Sequence, residues 1–179
     1  MTEPRVLREE GLRRYQQGAL DEAIACFGEA HLLYIEKGDQ HSAAEILNNL
    51  GVIYHQQGRW SEAAEALQEA YQAFMAMENA DGQAQTLGNL GSLYRASGQL
   101  EKAVQHFEDA LTLFHRLGDS QAESATWRAL SIVRLRQGRL LEAILAYDSS
   151  LNCLKRLSLG QRFLHLLLGL PLRLLSGAR

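Results

Sequence analysis

The sequence is poor in residues that interrupt or cross-link regular structure. Of 179 residues, 2 are proline and 2 are cysteine. With hydrophobic content at an ordinary 46%, so little proline points to one elongated domain without a disordered linker. An excess of basic charge is also missing. The 18 Lys+Arg against 21 Asp+Glu give a net charge of −3, which argues against a nucleic-acid binder, whose phosphate contacts need a basic surface. The N-terminus, MTEPRVLREE, is charged from its third residue and lacks the apolar core of a secretory signal.

Signatures of chemistry are absent in the same way. None of His31, His41, His55, His106, His115 and His165 stands three or four residues from another histidine or a cysteine, the spacing that puts two zinc ligands on one helix face. No Gly-rich loop runs into Lys-Ser or Lys-Thr, and no Gly-x-Ser-x-Gly elbow occurs. The run Gly88-Asn89-Leu90-Gly91 falls inside a helical pattern, where glycine serves packing. Acidic pairs such as Glu9-Glu10 and Glu108-Asp109 point different ways on helices and read as solvated surface. No catalytic residue, metal or cofactor is expected.

What is present is a sentence written four times. Gly18, Gly58, Gly98 and Gly138 recur every 40 residues. Seven residues before each stands a small residue: Gly11, Gly51, Gly91 and Ser131. Five residues after each comes Ala23, Ala63, Ala103 and Ala143, then a large apolar residue at Phe27, Leu67, Phe107 and Tyr147. A further small residue follows at Ala30, Ala70, Ala110 and Ser150. Self-similarity at such a period marks a stacked repeat protein. Within one copy, Ala43, Ala44, Leu47, Leu50, Gly51 and Tyr54 recur at helical steps, as do Trp60, Ala63, Leu67, Ala70 and Phe74. Each repeat is therefore two helices joined by a short turn and packed antiparallel. Gly51 and Ala63 let the backbones approach, with Leu67 and Tyr54 filling the space beside them.

The pattern Leu47–Leu50–Gly51–Tyr54, then Gly58, Ala63, Leu67 and Ala70, resembles the tetratricopeptide repeat. It recurs at Leu87–Leu90–Gly91–Tyr94, Gly98, Ala103, Phe107 and Ala110, and more loosely at Trp127–Leu130–Ser131 and Ala143–Tyr147. The commonest form of that repeat has about 34 residues. This one is longer and lacks the proline that often ends the second helix. Its seams read Lys37-Gly38-Asp39, Asn79-Ala80-Asp81-Gly82 and Leu117-Gly118-Asp119, as helix stops followed by caps. In this it is similar to the long-helix subclass of spindle-orientation adaptors, kinesin light chains and many bacterial regulators. The resemblance implies an all-α fold, a right-handed α-solenoid of four helix-turn-helix repeats plus a C-terminal helix. It also implies non-catalytic binding of proteins or peptides.

The expected repeats span about 4–38, 39–79, 80–118 and 119–157. Eight helices are expected at 4–17, 20–37, 40–57, 60–78, 82–97, 100–117, 120–137 and 140–156, with a ninth in the tail. Residues 158–179 are Leu-rich, and Arg162, His165 and Arg173 break the apolar run well short of the ~20 residues that span a membrane. Three roles stay open for this tail: closing the fourth repeat, dimerisation or partner docking, and lying on a membrane surface. Cys26 and Cys153 fall in the first and last repeats, on the order of 25 Å apart with helices packed about 8–10 Å from one another. That is too far for a disulfide, so they are expected to be free thiols, small core residues in a cytoplasmic protein. Charge is divided along the chain. Residues 1–90 hold 6 Lys+Arg and 14 Asp+Glu, giving −8, and residues 91–179 hold 12 and 7, giving +5.

The first helix of each repeat has a second face, which in tetratricopeptide arrays lines a concave groove. Here it carries Glu45, Asn48, Asn49, Val52, His55 and Gln56. The copies give Gln85, Asn89, Ser92 and Arg95, then Arg128, Ile132, Leu135 and Arg136, and in repeat one Arg5, Arg8, Glu9 and Leu12. Asn49 and Asn89 hold equivalent places, and an amide that both donates and accepts suits the backbone of an extended peptide. The plainer reading is that each asparagine bonds a neighbouring helix. Arg95, Arg128 and Arg136 suit carboxylates, so the expected partner is a protein or peptide with an acidic segment. The chaperone-tail-binding subclass does not fit, because Glu9 and Leu12 stand where its carboxylate clamp needs Lys and Asn. Membrane contact is expected only through residues 158–179. The alternative is a self-assembly module, a homo-oligomer formed through the tail or by end-to-end stacking.

Overall fold

A computed structural model describes residues 3–154, which form eight α-helices and no strand. They are α1 (Pro4–Gln16), α2 (Leu20–Glu36), α3 (Gln40–Gln56), α4 (Trp60–Ala76), α5 (Ala80–Ala96), α6 (Leu100–Leu117), α7 (Ser120–Arg136) and α8 (Leu140–Asn152). The ninth helix and the roles expected of residues 158–179 lie outside the described residues.

The helices are cut by one device. Gly18, Gly38, Gly58, Glu78, Gly98, Gly118 and Gly138 all have positive φ, between 54° and 82°, and they fall 20 residues apart. A left-handed residue turns the chain so that orphan carbonyls at the helix end are satisfied. At the first seam the Gly38 N–H donates to the Ile35 carbonyl at 3.0 Å and the Asp39 N–H to the Tyr34 carbonyl at 2.9 Å. Turns that lead from one repeat to the next are then capped by side chains. Asp39 Oδ1 accepts from the Ser42 N–H at 3.0 Å, Asn79 Oδ1 from the Gly82 N–H at 2.9 Å, and Asp119 Oδ1 from the Ala122 N–H at 2.9 Å. The second seam corrects the expectation. Its left-handed residue is Glu78, its cap is Asn79, and α5 therefore starts at Ala80, placing Gly82 inside the helix.

The described residues divide into two compact units, one ending at Leu93 and the other beginning at Tyr94. In the first, α1 and α2 form one hairpin and α3 and α4 another, and α2 also packs on α3. A Cβ built on Gly51 would lie 2.5 Å from Leu67 Cγ and 3.3 Å from the Ala63 carbonyl oxygen, so only glycine allows this approach. Gly82 does the same for Phe74, whose ring would be 2.4 Å from such a Cβ. The core joins Phe27, Ala30 and Tyr34 of α2 to Ala43, Ile46, Leu50 and Ile53 of α3. Ile46 and Ile53 are 0% and 1% exposed, whereas Leu47 and Tyr54 are only half-buried. The inward face of α3 is thus broader than its spacing predicts, because α3 packs against α2 as well as α4.

The second unit contains α6, α7 and α8, with α7 packed on both its neighbours. Phe107, Leu130, Val133 and Leu151 are buried there. Serine replaces a small apolar residue at 131 and 150, and each hydroxyl finds a carbonyl: Ser131 Oγ donates to Arg128 at 2.8 Å and Ser150 Oγ to Tyr147 at 2.6 Å. Buried hydroxyls satisfied in this way cost little. Arg134, 15% exposed in its side chain, reaches Glu108 of α6 at 2.8 Å and Glu142 of α8 at 3.2 Å. Cys26 and Cys153 are free thiols, and both are half-buried rather than core residues. Burial holds the Cys153 thiol above its ordinary range, and nearby Glu123 adds to this.

Candidate functional site

The sequence-derived face is partly assembled in the first unit. Glu45, Asn48 and Asn49 of α3 and Gln85 of α5 line one cleft of about 210 Å³, together with Arg8 and Leu12 of α1. His41, Phe74, Asn79, Asp81 and Gly82 complete it. These last five were not expected, since their positions read as core, cap or seam. His41 stands in the first turn of α3, and the other four reach the cleft because α4 ends at Ala76 and the Glu78–Asn79 turn folds the start of α5 beside α3.

Each polar wall is held in place. The Arg8 guanidinium donates to Glu45 Oε2 at 3.0 Å, and His41 Nδ1 lies 3.9 Å from Glu45 Oε1. Gln85 Nε2 donates to Asp81 Oδ2 at 2.7 Å. Asn89 Nδ2 donates to Asn48 Oδ1 at 3.0 Å, the neighbouring-helix bond of the plainer reading. That bond uses one of the two N–H groups of Asn89. The His41 ring meets Phe74 edge-on, with centroids 6.0 Å apart, and Phe74 itself is buried. Leu12 and Asn49 also border a second, apolar pocket of about 50 Å³, lined by Tyr15, Phe27, Val52 and Ile53. The cleft and pocket are therefore adjacent along α1 and α3.

His55 is placed elsewhere. Its ring tilts against Trp60, with centroids 5.7 Å apart at the turn into α4. Ser92 is half-buried farther along α5. Arg95, Arg128, Ile132 and Arg136 belong to the second unit. There Arg136 Nη1 donates to the Arg95 carbonyl at 3.1 Å, which brings those two arginines together. Arg95 Nε is buried with no hydrogen-bond acceptor among the described residues. Arg128, Ile132 and Arg136 are exposed.

The second unit also holds a cleft that sequence reasoning missed. It measures about 510 Å³ and is bordered by Glu108, Leu111, Thr112, His115, Arg116, Glu123 and Trp127. Trp127, assigned to the packed core from its phase, instead lines this cleft and is half-buried. His115 Nδ1 stands 3.2 Å from Glu123 at its rim. Among the described residues no group of three His, Cys, Asp or Glu side chains could hold a metal ion. No described helix is long and apolar enough to cross a membrane.

Comparison with known proteins bears on the family and the fold. A family model described as tetratricopeptide repeat matches residues 7–76 and 82–156. The fold is similar to the crystal structure of BtubC (BKLC) from P. vanneervenii, with a TM-score of 0.76 and 22% identity over 84% of this chain and 62% of that one. It is also similar to aspartyl phosphate phosphatase F from Bacillus subtilis, with a TM-score of 0.80 and 14% identity over 84% of this chain and 39% of that one. The chain thus spans about three-fifths and two-fifths of the length of these two proteins. At such identities the likeness is one of fold, an all-α solenoid of helical repeats. Among curated proteins none matches.

Proposed function

Because the chain belongs to the tetratricopeptide repeat family, we propose that it is a non-catalytic interaction scaffold holding a peptide or helix of a partner protein along the first helices of its repeats. The observation that carries this reading is the cleft of the first unit. Four residues singled out for their place on that face, Glu45, Asn48, Asn49 and Gln85, line it together, with an apolar pocket adjoining. Concave sites with a few fixed polar groups and an apolar recess are the ordinary form of a binding site. In the second unit Arg95, Arg128 and Arg136 would face an acidic segment of the partner, and two free thiols suit a reducing cytoplasm.

The test is capture of partners from a lysate, identification by mass spectrometry, and titration of the identified protein against variants. Asn49→Ala and Val52→Trp should each weaken binding, and Arg128→Glu should weaken it more at low salt than at high, since exposed charges are screened within about 8 Å at physiological ionic strength. A partner whose binding ignores all three changes and is lost with Glu65→Arg on α4 would move the site to the second-helix surface.

A self-assembly module is the second reading, and α8 favours it. Leu141 and Leu145 are 56% and 43% exposed. The equivalent places in earlier repeats hold Asp21, Ser61 and Glu101, then Ala25, Glu65 and Gln105. Light scattering on the Leu141→Glu/Leu145→Glu variant decides it: an assembly that falls to monomers supports self-association, and an unchanged mass removes it.

A further inference from the structure

The walls of the first-unit cleft differ in what they leave for a ligand. Arg8 and Glu45 are paired with each other at 3.0 Å. Asp81 accepts from Gln85, a neutral amide, so that contact leaves its charge uncompensated. Asp81 is also exposed at the mouth of the cleft. The surrounding unit is strongly acidic, since residues 1–93 carry 6 Lys+Arg and 14 Asp+Glu, a balance of −8. An anionic occupant would meet that field, and the charge of the cleft's arginine is already paired with Glu45 through Nη1, its buried Nε alone lacking an acceptor among the described residues, whereas a cationic one would be drawn in by the field.

The pocket beside the cleft limits the neighbouring group. Its volume of about 50 Å³ is about a third of the ~150 Å³ apolar cavity that takes up benzene. Its lining of Leu12, Tyr15, Phe27, Val52 and Ile53 offers apolar contact. A recess of this size and lining favours a small aliphatic side chain over an aromatic ring. In an extended segment residues two apart point the same way, so one chain can present both groups to one face.

Resting on the peptide-binding reading above, we propose that the first unit selects a partner segment in which a small aliphatic side chain, seated against Val52 and Ile53, lies beside a lysine or arginine that pairs with Asp81. The selectivity is modest by construction, because an ion pair to an exposed carboxylate adds little and is screened by salt.

Three end-blocked pentapeptides test it, titrated into the ¹⁵N-labelled full chain at low ionic strength and followed by amide shifts: Ala-Val-Ala-Lys-Ala, Ala-Val-Ala-Glu-Ala and Ala-Trp-Ala-Lys-Ala. The Val/Lys peptide should shift Asn49, Val52 and Asp81, and bind about two- to fivefold tighter than the Val/Glu peptide. The Trp/Lys peptide should bind more weakly than the Val/Lys one. Asp81→Asn should erase the preference for lysine over glutamate, and so should Gln85→Lys, which sets a cation beside Asp81 and covers the case of a misfolded first variant. Equal binding of the Lys and Glu peptides, or a preference that survives both changes, overturns the inference while the groove reading stands. Peptides that shift no cleft amide overturn both.

Discussion

Asn89 of α5 donates a 3.0 Å hydrogen bond to the side-chain oxygen of Asn48 on α3, across 41 residues of sequence. Both side chains are half-buried, so the pair ties two successive first helices together on the face proposed to hold a ligand. Asn89→Ala therefore does more than remove a ligand contact. It should cost about 0.5–1.5 kcal/mol of stability, and an Asn48→Ala/Asn89→Ala cycle should return a coupling energy of similar size. Denaturant midpoints of the four proteins measure it, and additive effects would mean the bond contributes nothing in solution.

Two helical glycines of α5 should respond to alanine with opposite signs. At Gly82 a new Cβ would sit 2.4 Å from the Phe74 ring, while at Gly88 it meets nothing within 4 Å. Gly82→Ala should destabilise by roughly 1–3 kcal/mol through overpacking. Gly88→Ala should stabilise by about 0.5–1 kcal/mol, the ordinary gain of alanine over glycine in a helix. The open space around Gly88 removes the packing role that its place in the helical pattern predicts. Melting temperatures of the two variants check the signs.

Glu78 holds a left-handed φ of 54° where the other six such turns carry glycine. The left-handed region costs an L-residue roughly 1–2 kcal/mol, partly offset in glycine by its larger loss of backbone freedom. Glu78→Gly should raise stability by up to about 1 kcal/mol, read as a higher denaturant midpoint at unchanged slope.

His106 stacks on Tyr94 with centroids 5.2 Å apart and planes 10° from parallel. Its Nδ1 is buried without a hydrogen-bond partner among the described residues. Burial holds its pKa below the ordinary 6.5, with Lys102 pushing the same way and Asp109 opposing. A depressed folded pKa means that the unfolded chain takes up the proton first. The stabilisation is complete above about pH 6.5 and declines below it, down to the folded pKa. His106→Gln should flatten this decline, so the stability difference between wild type and variant should shrink or reverse from pH 7.5 to 5.5. A constant difference would show that His106 titrates alike in both states.

The phase of the repeat was legible because the same residue types recur at each tight contact. Gly51 against Leu67 is visible from spacing alone, and the clash built on Gly51 agrees with it. The start of α5 was not, because the turn carries Glu78 where pattern led one to look for glycine. The faces packed between repeats were obscured by chemistry. At the place of Ile46 the next copies carry Thr86 and Thr126, which look polar yet are buried. Thr86 donates to the Gly82 carbonyl at 2.8 Å and Thr126 to the Ala122 carbonyl at 2.8 Å, returning each hydroxyl to its own helix. The candidate site was half legible for a related reason. Asn48, Asn49 and Gln85 follow from helix phase, while Asp81 and Phe74 enter the cleft only through the turn between α4 and α5.

The even step of the left-handed turns has a consequence for how such a chain can change in length. Removing 20 residues would join a first helix to a first helix, reverse the direction of everything downstream and set unlike faces together. Removing 40 would join Gly38 to Asn79, and duplicating 40 would join Glu78 to Asp39, with capping residues and contact faces still in step. Lengths reachable by recombination are therefore quantised, and a cut at these seams would exchange whole repeats while leaving each surviving core contact intact.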